Sequence, residues 1–413
     1  MRSEIKISNV DNLQYVIFIV FLLFSIHFWD IRYIPQKLNA ENMLTWLACG
    51  YCLVMVIQKK NLHFKNAIIL FMIGLMINIL TAYLNFGQSP KDTILSFEYQ
   101  YFILLYFMLH LIKPNIKFLE NTIIIFAILY SIIYIVQVTI FPYRIVTSGL
   151  IFDRGKFQFE ILGHGFLMLG YFLILNRFLL DRKPKNILLA IGFFIVLLLM
   201  GFRTKIAGAL LVTLIMIFRT IRFDMKDLGI IVVVVLLFIG LFQLPGPSNL
   251  LKDFSSDTQK NLKEGKNYVR LRQLKFFFNE YPQNVSYYIF GGGKHGGKSI
   301  YNFRMKSFEQ NYNIVWVDLG ILGFYIVIGA VALAGMLWYT FKAIFIKLPN
   351  DKQYLNFYFV FLLIVSFTTS EIFSSGVFTV VAIALYLIDM SVNEKSDPDT
   401  LTINKKRLLL SNK

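Results

Sequence analysis

The sequence carries little charge for its length. Of 413 residues only 16% are Asp, Glu, Lys or Arg and 57% are hydrophobic, whereas about a quarter of an ordinary soluble domain is charged. This balance excludes a soluble enzyme. A membrane-spanning helix takes about 20 apolar residues, so twelve helices would take roughly 240, or about 58% of this chain. The apolar excess is therefore what a protein with twelve spanning helices needs.

Residues that could hold a metal ion are also scarce. The chain has two Cys and five His, and no His/Cys set has the spacing of metal ligands, so we predict neither metal nor cofactor. Cys49 and Cys52 form a CxxC, a redox motif in soluble thioredoxin-like proteins, but their place in an apolar helix favours packing. Asp397 and Asp399 form the Asp-x-Asp of metal-dependent glycosyltransferases; in a polar tail without a domain, we interpret it as coincidence.

Runs of apolar residues occur along the whole sequence. They are continuous rather than alternating, which favours helices over the strands of a barrel, so we predict an all-α polytopic membrane protein with about twelve spans. The runs lie near residues 13–29, 42–58, 66–83, 95–112, 118–141, 159–180, 186–200, 206–221, 228–244, 313–340, 353–369 and 373–389.

The distribution of basic residues predicts the orientation. With the N-terminus inside, the inner segments hold 22 of the 41 Lys and Arg residues and the short outer loops hold 8, as the positive-inside rule requires. We expect both termini in the cytoplasm and no cleaved signal, since the first run lacks a small-residue cleavage site. The organisation is then 1–244 for nine helices, 245–312 for a long outer loop, 313–390 for three helices and 391–413 for a cytoplasmic tail.

The outer loop is basic, with 11 Lys and Arg against 5 Asp and Glu, and it contains the segment GGGKHGGKS. From Gly292 to Ser299 this segment matches a nucleotide-binding P-loop, but the loop is too short for the domain that such a motif needs. Two interpretations stay open. The glycine N–H groups form an anion-accepting nest, helped by Lys294, His295 and Lys298, or the segment is a flexible turn.

Several arginines are expected on the outer side of the membrane. A guanidinium group matches phosphate oxygens, which suits an anionic ligand, although single arginines also extend to lipid headgroups. Arg203, in the tight turn GFRTK, fits the second role least. Asp318, expected inside the tenth helix, is a candidate because burying its charge is unfavourable. The outer arginines are Arg32, Arg144, Arg154, Arg203, Arg270, Arg272 and Arg304.

The order of these features resembles the bacterial O-antigen polymerase and O-antigen ligase superfamily. Arg203 and Thr204 in LLLMGFRTKIAG resemble the family's Ser-Arg-Thr turn, with Phe202 in place of Ser. Within the long loop, an arginine, Tyr281-Pro282 and FGGG at 290–293 resemble the family's Arg, Pro and Gly-x-Gly sequence. The segment EQNYNIVWVDLGILG at 309–323 resembles the family's His-Asn-x-Tyr segment and the helix start that follows it. The likeness runs from about residue 144 to residue 339.

The resemblance implies a fold and an activity. The fold would be that of a GT-C-like glycosyltransferase, and the reaction an inverting, metal-independent transfer of a growing glycan from undecaprenyl pyrophosphate onto a lipid-linked repeat unit. Glu309 stands where the ligases carry a histidine, which favours the polymerase. The site would lie at the outer face of the bacterial inner membrane, with membrane lipid and a chain-length regulator as partners and no nucleic acid.

The resemblance also implies roles for residues. Glu309 would orient or deprotonate the acceptor hydroxyl, with His295 as the other candidate for this role, and Arg203 with Arg270 or Arg272 would bind the pyrophosphate. We expect the loop tyrosines to pack within the loop or to stack on sugar rings. The predicted catalytic residues are Glu309, Arg203, Arg270 and Arg272, and the predicted substrate-binding residues are Arg154, Arg304, His295, Gly291, Gly293 and Tyr312.

Three other functions compete with the polymerase. The first is the O-antigen ligase of the same superfamily. The second is a flippase or transporter of twelve helices, although such proteins usually show paired halves and broken helices. The third is a structural membrane protein without chemistry, which does not account for the outer arginines.

Overall fold

The computed structural model describes residues 9–33, 39–57, 62–147, 149–153, 156–220, 268–282 and 284–396. These residues form α-helices joined by short turns, together with one antiparallel hairpin of β1 (Leu150–Asp153) and β2 (Lys156–Phe159). The helices are α1 (Asn9–Ser25), α2 (Asn39–Ile57), α3 (Lys65–Phe86), α4 (Pro90–Ser96), α5 (Leu105–Ile112), α6 (Ile116–Thr139), α7 (His164–Asp181), α8 (Pro184–Met200), α9 (Arg203–Thr220), α10 (Val269–Lys275), α11 (Val285–Phe290), α12 (Ile300–Tyr312), α13 (Ile321–Phe345), α14 (Tyr354–Ser366) and α15 (Val377–Ser396).

The mainly helical fold confirms the all-α part of the fold prediction, and the described residues contain fewer candidate spans than the twelve predicted. Among the described residues, three helices are long and apolar enough to cross a membrane, namely α3, α6 and α13. A fourth crossing results if α4 and residues 100–112, which are bent by 66°, count as one span. Other helices are shorter than a membrane-spanning helix. Helix α14, for example, has 13 residues and is only about 20 Å long at 1.5 Å per residue. The predicted run at 228–244 lies outside the described residues.

Helix α13 is broken in its middle. Gly329 has a φ of 75° and a ψ of 174°, so the regular helical bonding is interrupted there and carbonyl groups of the preceding turn need other donors. The glycine segment after α11 supplies them. The N–H of Gly292 donates to the carbonyl oxygen of Ile326 at 2.9 Å, and the N–H of Gly293 donates to that of Val327 at 3.0 Å.

Helix α3 completes this joint. The side-chain amide of Asn78 donates to the carbonyl oxygens of Phe290 and Val327 at 2.6 and 2.8 Å, and Thr81 Oγ1 donates to that of Gly291 at 3.1 Å. Asn78 is fully buried. Buried backbone groups are costly without partners, so these bonds fix the glycine segment between α3 and α13.

Small residues bring α3 and α13 close together. A Cβ atom on Gly74 would lie 2.4 Å from the backbone nitrogen of Ala332, and one on Gly335 would lie 2.4 Å from that of Phe71. The two helices can approach this closely because these positions lack side chains. In α2, Cys49 and Cys52 are buried free thiols, as the packing interpretation predicted.

Buried ionic clusters join the helices at one end of the bundle. The Glu120 carboxylate of α6 binds Arg177 of α7 at 2.8 Å and Lys352 at 2.5 Å, and it accepts a hydrogen bond from Tyr354 at 3.0 Å. The Asp389 carboxylate of α15 binds His63 and His110 at 3.1 and 3.2 Å, and it accepts a hydrogen bond from Tyr106. The β-hairpin lies at the opposite end, which we call the hairpin end.

The glycine joint generates a prediction about stability. A Cβ at Gly329 would lie 2.2 Å from the carbonyl carbon of Phe290, at a φ that L-residues rarely adopt, so Gly329→Ala should destabilise the fold by about 2 to 4 kcal/mol. Thermal unfolding of the purified protein measures this. Gly192→Ala in α8 is the control, since a Cβ atom at that position would have no atom within 4 Å; equal effects of both changes would contradict the joint.

Candidate functional site

The hairpin end gathers charged residues from distant parts of the sequence. The side-chain amide of Gln158 in β2 lies 3.5 Å from the carbonyl oxygen of Gly201, between α8 and α9. A bridge between Ile31 and Val146 joins the chain after α1 to the chain after α6. The turns that follow α1, α3, α6 and α8 therefore meet near the glycine segment and α12.

The chain around Lys294 is fixed by side chains at the end of α3 and in α4. The carbonyl oxygen of Lys294 accepts hydrogen bonds from Gln88 at 2.9 Å and from Ser96 at 2.8 Å. The N–H of Gly296 donates to Gln88 Oε1 at 3.0 Å, and Ser299 Oγ donates to the same oxygen at 3.0 Å. The segment GGGKHGGKS is thus a bonded turn.

This bonding corrects the predicted anion-accepting nest. The N–H groups of Gly291, Gly292 and Gly293 donate to the carbonyl oxygens of Tyr287, Ile326 and Val327. The N–H of Gly296 also has an acceptor. These donors are engaged within the chain, so Gly291 and Gly293 hold the segment in place and do not present their N–H groups to a ligand.

His295 and Glu309 form an ion pair at this turn. The Nε2 atom of His295 lies 3.2 Å from the Oε1 atom of Glu309, and their side chains are 13% and 29% exposed. On the other side of the ring, Nδ1 lies 2.9 Å from Asn302 Oδ1. Asn302 and Glu309 are seven residues apart in α12, which places them on one face of the helix.

The hydrogen-bond network assigns the protons. Asn302 donates its amide nitrogen to the carbonyl oxygen of Gly297 at 2.7 Å, so its Oδ1 atom faces His295 as an acceptor and Nδ1 carries a proton. The other ring nitrogen, Nε2, then faces the Glu309 carboxylate. Such a pair can hold or move a proton at a partly exposed position, which is what general acid–base chemistry needs.

The predicted substrate-binding residues differ in their surroundings. Arg304 is exposed on α12, about 140° around the helix from Glu309. It borders a cleft of about 110 Å³ that is lined by Asn85, Phe86, Ile300 and Tyr301. Tyr312, at the end of α12, is 60% exposed. Arg154 lies outside the described residues, as do Asp397 and Asp399.

Arg270 and Arg272 point to opposite sides of α10. Arg270 is half-buried and Arg272 is exposed. The buried side chain of Gln273 lies on the side of Arg270 and donates to the carbonyl oxygen of Asn313 at 2.9 Å. Asn313 ends α12 and donates its own N–H to the carbonyl oxygen of Glu309. Of the two arginines, Arg270 therefore faces the helix that carries Glu309.

Two other sequence-based expectations have definite outcomes. Asp318 is exposed and lies in a 3-10 turn before α13, not inside that helix, which corrects its prediction as a buried charge. The helix begins later because Gly320 has a φ of 56° and a ψ of −130°. Tyr287 and Tyr301 are buried around Phe86, so they pack this part of the chain against the end of α3.

The sequence-based reasoning missed a buried cluster at the hairpin end. Glu371, in the turn between α14 and α15, binds Lys205 of α9 at 2.9 Å and His164 of α7 at 3.1 Å. Burial alone would raise the pKa of Glu371, but Lys205 and His164 outweigh it and lower the pKa to about 2. The unfavourable burial of charge was a usable signal, since Lys205 lies two residues after Arg203 in an apolar helix.

A second missed group surrounds Asp30. Burial raises the pKa of Asp30 to about 6; His27 opposes this shift, and Glu98 adds to it by repulsion. Tyr99 and His27 approach each other at 3.5 Å. Burial also lowers the pKa of Lys294, against the opposing charges of Glu98 and Glu160. Carboxylates and one lysine thus share this part of the hairpin end.

Comparison with known proteins adds no relative. Neither a family model nor a curated protein nor a solved structure matches this chain. The function is therefore argued from the residues at the hairpin end and from the order of motifs in the sequence.

Asp30 generates a prediction about pH. Its pKa in the folded state, about 6, lies above its ordinary value of 3.8, so the folded chain loses stability as the pH rises from about 4 to about 6. Asp30→Asn removes this buried charge. The melting temperature of the variant should exceed that of the wild type by a few degrees at pH 8 and by less at pH 4.

The matched control for Asp30→Asn is Glu280→Gln, because the Glu280 side chain is 52% exposed. It should shift the melting temperature little at either pH. A difference between Asp30→Asn and wild type that stays constant from pH 4 to pH 8 would contradict the raised pKa.

Proposed function

We propose that this chain is a polysaccharide repeat-unit polymerase of the bacterial inner membrane. It transfers a glycan from undecaprenyl pyrophosphate onto a lipid-linked repeat unit at the outer face. The fold would be a GT-C-like arrangement of about twelve spans with both termini in the cytoplasm, so the hairpin end would face outward. The observation that carries this proposal is the contact between His295 and Glu309 at 3.2 Å.

The proposed chemistry is a single displacement. The acceptor hydroxyl oxygen bonds to the anomeric carbon of the donor, and the bond from that carbon to the pyrophosphate oxygen breaks, which inverts the configuration. The pyrophosphate leaves with the electron pair. The hydroxyl proton passes to the Glu309 carboxylate, whose Oε1 atom lies 3.2 Å from His295 Nε2.

Arginine side chains suit the departing pyrophosphate. Charge grows on the leaving oxygens as the bond breaks, and positioned guanidinium groups stabilise that charge. Arg270 faces the end of α12, Arg304 lies on α12, and Arg203 begins α9 at the same end of the bundle. We assign these three to the pyrophosphate, with Arg154 as a fourth.

The ligase of the same superfamily is a second candidate. The sequence argument against it is that Glu309 replaces a histidine, but the imidazole of His295 lies beside that carboxylate, so the histidine chemistry is present through another residue. A deletion strain separates the two functions. Loss of a polymerase leaves single repeat units on the lipid A core, and loss of a ligase leaves none.

A transporter of lipid-linked glycans is a third candidate. The break of α13 at Gly329 is the kind of discontinuous helix found at transporter binding sites. An assay with purified protein and a lipid-linked repeat unit distinguishes this function. Elongation of the glycan supports the polymerase, whereas movement of the unit across a vesicle membrane without a new glycosidic bond supports the transporter.

The catalytic assignment predicts the effect of one substitution. Glu309→Gln keeps the size of the side chain but removes its charge, so the elongation rate should fall at least about 100-fold, the usual contribution of a general base. The length of surface polysaccharide on gels reports this loss. The control is Glu280→Gln, an exposed carboxylate of the same loop. Long ladders at unchanged protein level in Glu309→Gln would exclude the assignment.

A further inference from the structure

The cluster of Glu371, Lys205 and His164 is buried almost completely. The side chains are 2%, 8% and 3% exposed, and they come from three separate places: the turn between α14 and α15, the first turn of α9 and the first residue of α7. Both carboxylate oxygens of Glu371 have a partner, since Oε2 lies 2.9 Å from Lys205 Nζ and Oε1 lies 3.1 Å from His164 Nε2.

The ionised form of Glu371 is stabilised in this cluster. Lys205 and His164 lower the pKa of the carboxyl group to about 2, against the effect of burial. Its charge is fixed in a buried place, and a buried charge without partners is strongly destabilising. The carboxylate and the Lys205 ammonium group therefore hold each other in one position.

The Lys205 side chain belongs to the turn that carries Arg203. Its ammonium nitrogen lies 4.7 Å from the centroid of the Phe202 ring. This contact spans Arg203 and Thr204, which lie between Phe202 and Lys205 in the sequence. The same turn is bordered on its other side by Gln158, 3.5 Å from the carbonyl oxygen of Gly201. The turn is thus held by β2 at its beginning and by Glu371 at its end.

We propose that Glu371 is a positioning residue for Arg203: through its bond to Lys205 it fixes the turn of residues 201–205, and His164 keeps the carboxylate in place. The direction of the Arg203 guanidinium then depends on a carboxylate between α14 and α15. The part of this inference that concerns the ligand of Arg203 rests on the proposed function; the fixing of the turn does not.

A cysteine reporter tests the fixing of the turn. Thr204→Cys, in a background of Cys49→Ala and Cys52→Ala, places one thiol in the half-buried turn, and its reaction with a maleimide is followed on the purified full chain in detergent. Glu371→Gln should raise the labelling rate about tenfold or more. The charge-exchanged pair Lys205→Glu with Glu371→Lys should bring the rate back to within about threefold of the parent.

A second variant keeps the test valid if Glu371→Gln fails to fold. Lys205→Met with Glu371→Leu removes both charges, and neutral replacement of a buried ion pair is often tolerated. It should also label about tenfold faster. A labelling rate equal to that of the parent in this folded variant would overturn the proposal, as would fast labelling after the exposed control change Glu280→Gln.

The ligand of Arg203 is tested with farnesyl pyrophosphate as the probe. Arg203→Ala and Glu371→Gln should each weaken its binding about tenfold, and the double variant should be no weaker than Arg203→Ala alone, because Glu371 acts through Arg203. Additive losses would overturn the positioning role. If the wild type does not bind the probe while the labelling results hold, the proposed function fails and the fixing of the turn stands.

Discussion

The position of the candidate site depends on the hydrogen bonds between the glycine segment and the broken turn of α13. Helix α13 is interrupted at Gly329, and the carbonyl oxygens of Ile326 and Val327 are bound by the N–H groups of Gly292 and Gly293. In apolar surroundings these carbonyl and N–H groups have no water to bind, so the broken turn of α13 and the glycine segment stabilise each other. Lys294 and His295 follow the glycine segment directly in the chain, so their backbone direction is set by these bonds, and α12 begins five residues after His295. The position of the pair formed by His295 and Glu309 is therefore set by backbone bonds of the neighbouring glycines.

Buried charge is the second constraint, and it acts at both ends of the bundle. At one end, Glu120 and Asp389 each bind cations or imidazoles from helices that are distant in the sequence. At the hairpin end, Glu371 does the same. An ionised carboxylate removed from water is tolerated only with its partners in place, so each cluster selects one arrangement of its helices. At the hairpin end that arrangement also determines where the turn carrying Arg203 lies.

The helices could be predicted from the sequence because a continuous apolar run is a local property. Each predicted run within the described residues overlaps a helix or a bent pair of helices, although the helix expected from residue 313 begins only at Ile321. The break at Gly329 could not be predicted, since the run around it is apolar throughout and the segment that binds it lies in the preceding loop. The expectation that Gly291 and Gly293 offer their N–H groups to an anion was wrong for the same reason, because the sequence does not reveal that these groups have acceptors within the chain. Asp318 was placed inside a helix because hydropathy does not register the turn that Gly320 imposes.

The contact between His295 and Glu309 affects what the residue at position 309 indicates about function. By sequence alone, the exchange of histidine for glutamate at one motif position separates polymerase from ligase. In three dimensions the imidazole comes from the glycine segment and meets the carboxylate at 3.2 Å, while Asn302 fixes the other ring nitrogen. Under the proposed function, the group that accepts the proton would be this pair rather than a single side chain. A motif position in the sequence shows only one member of the pair, and the fold brings the second member to it from another segment.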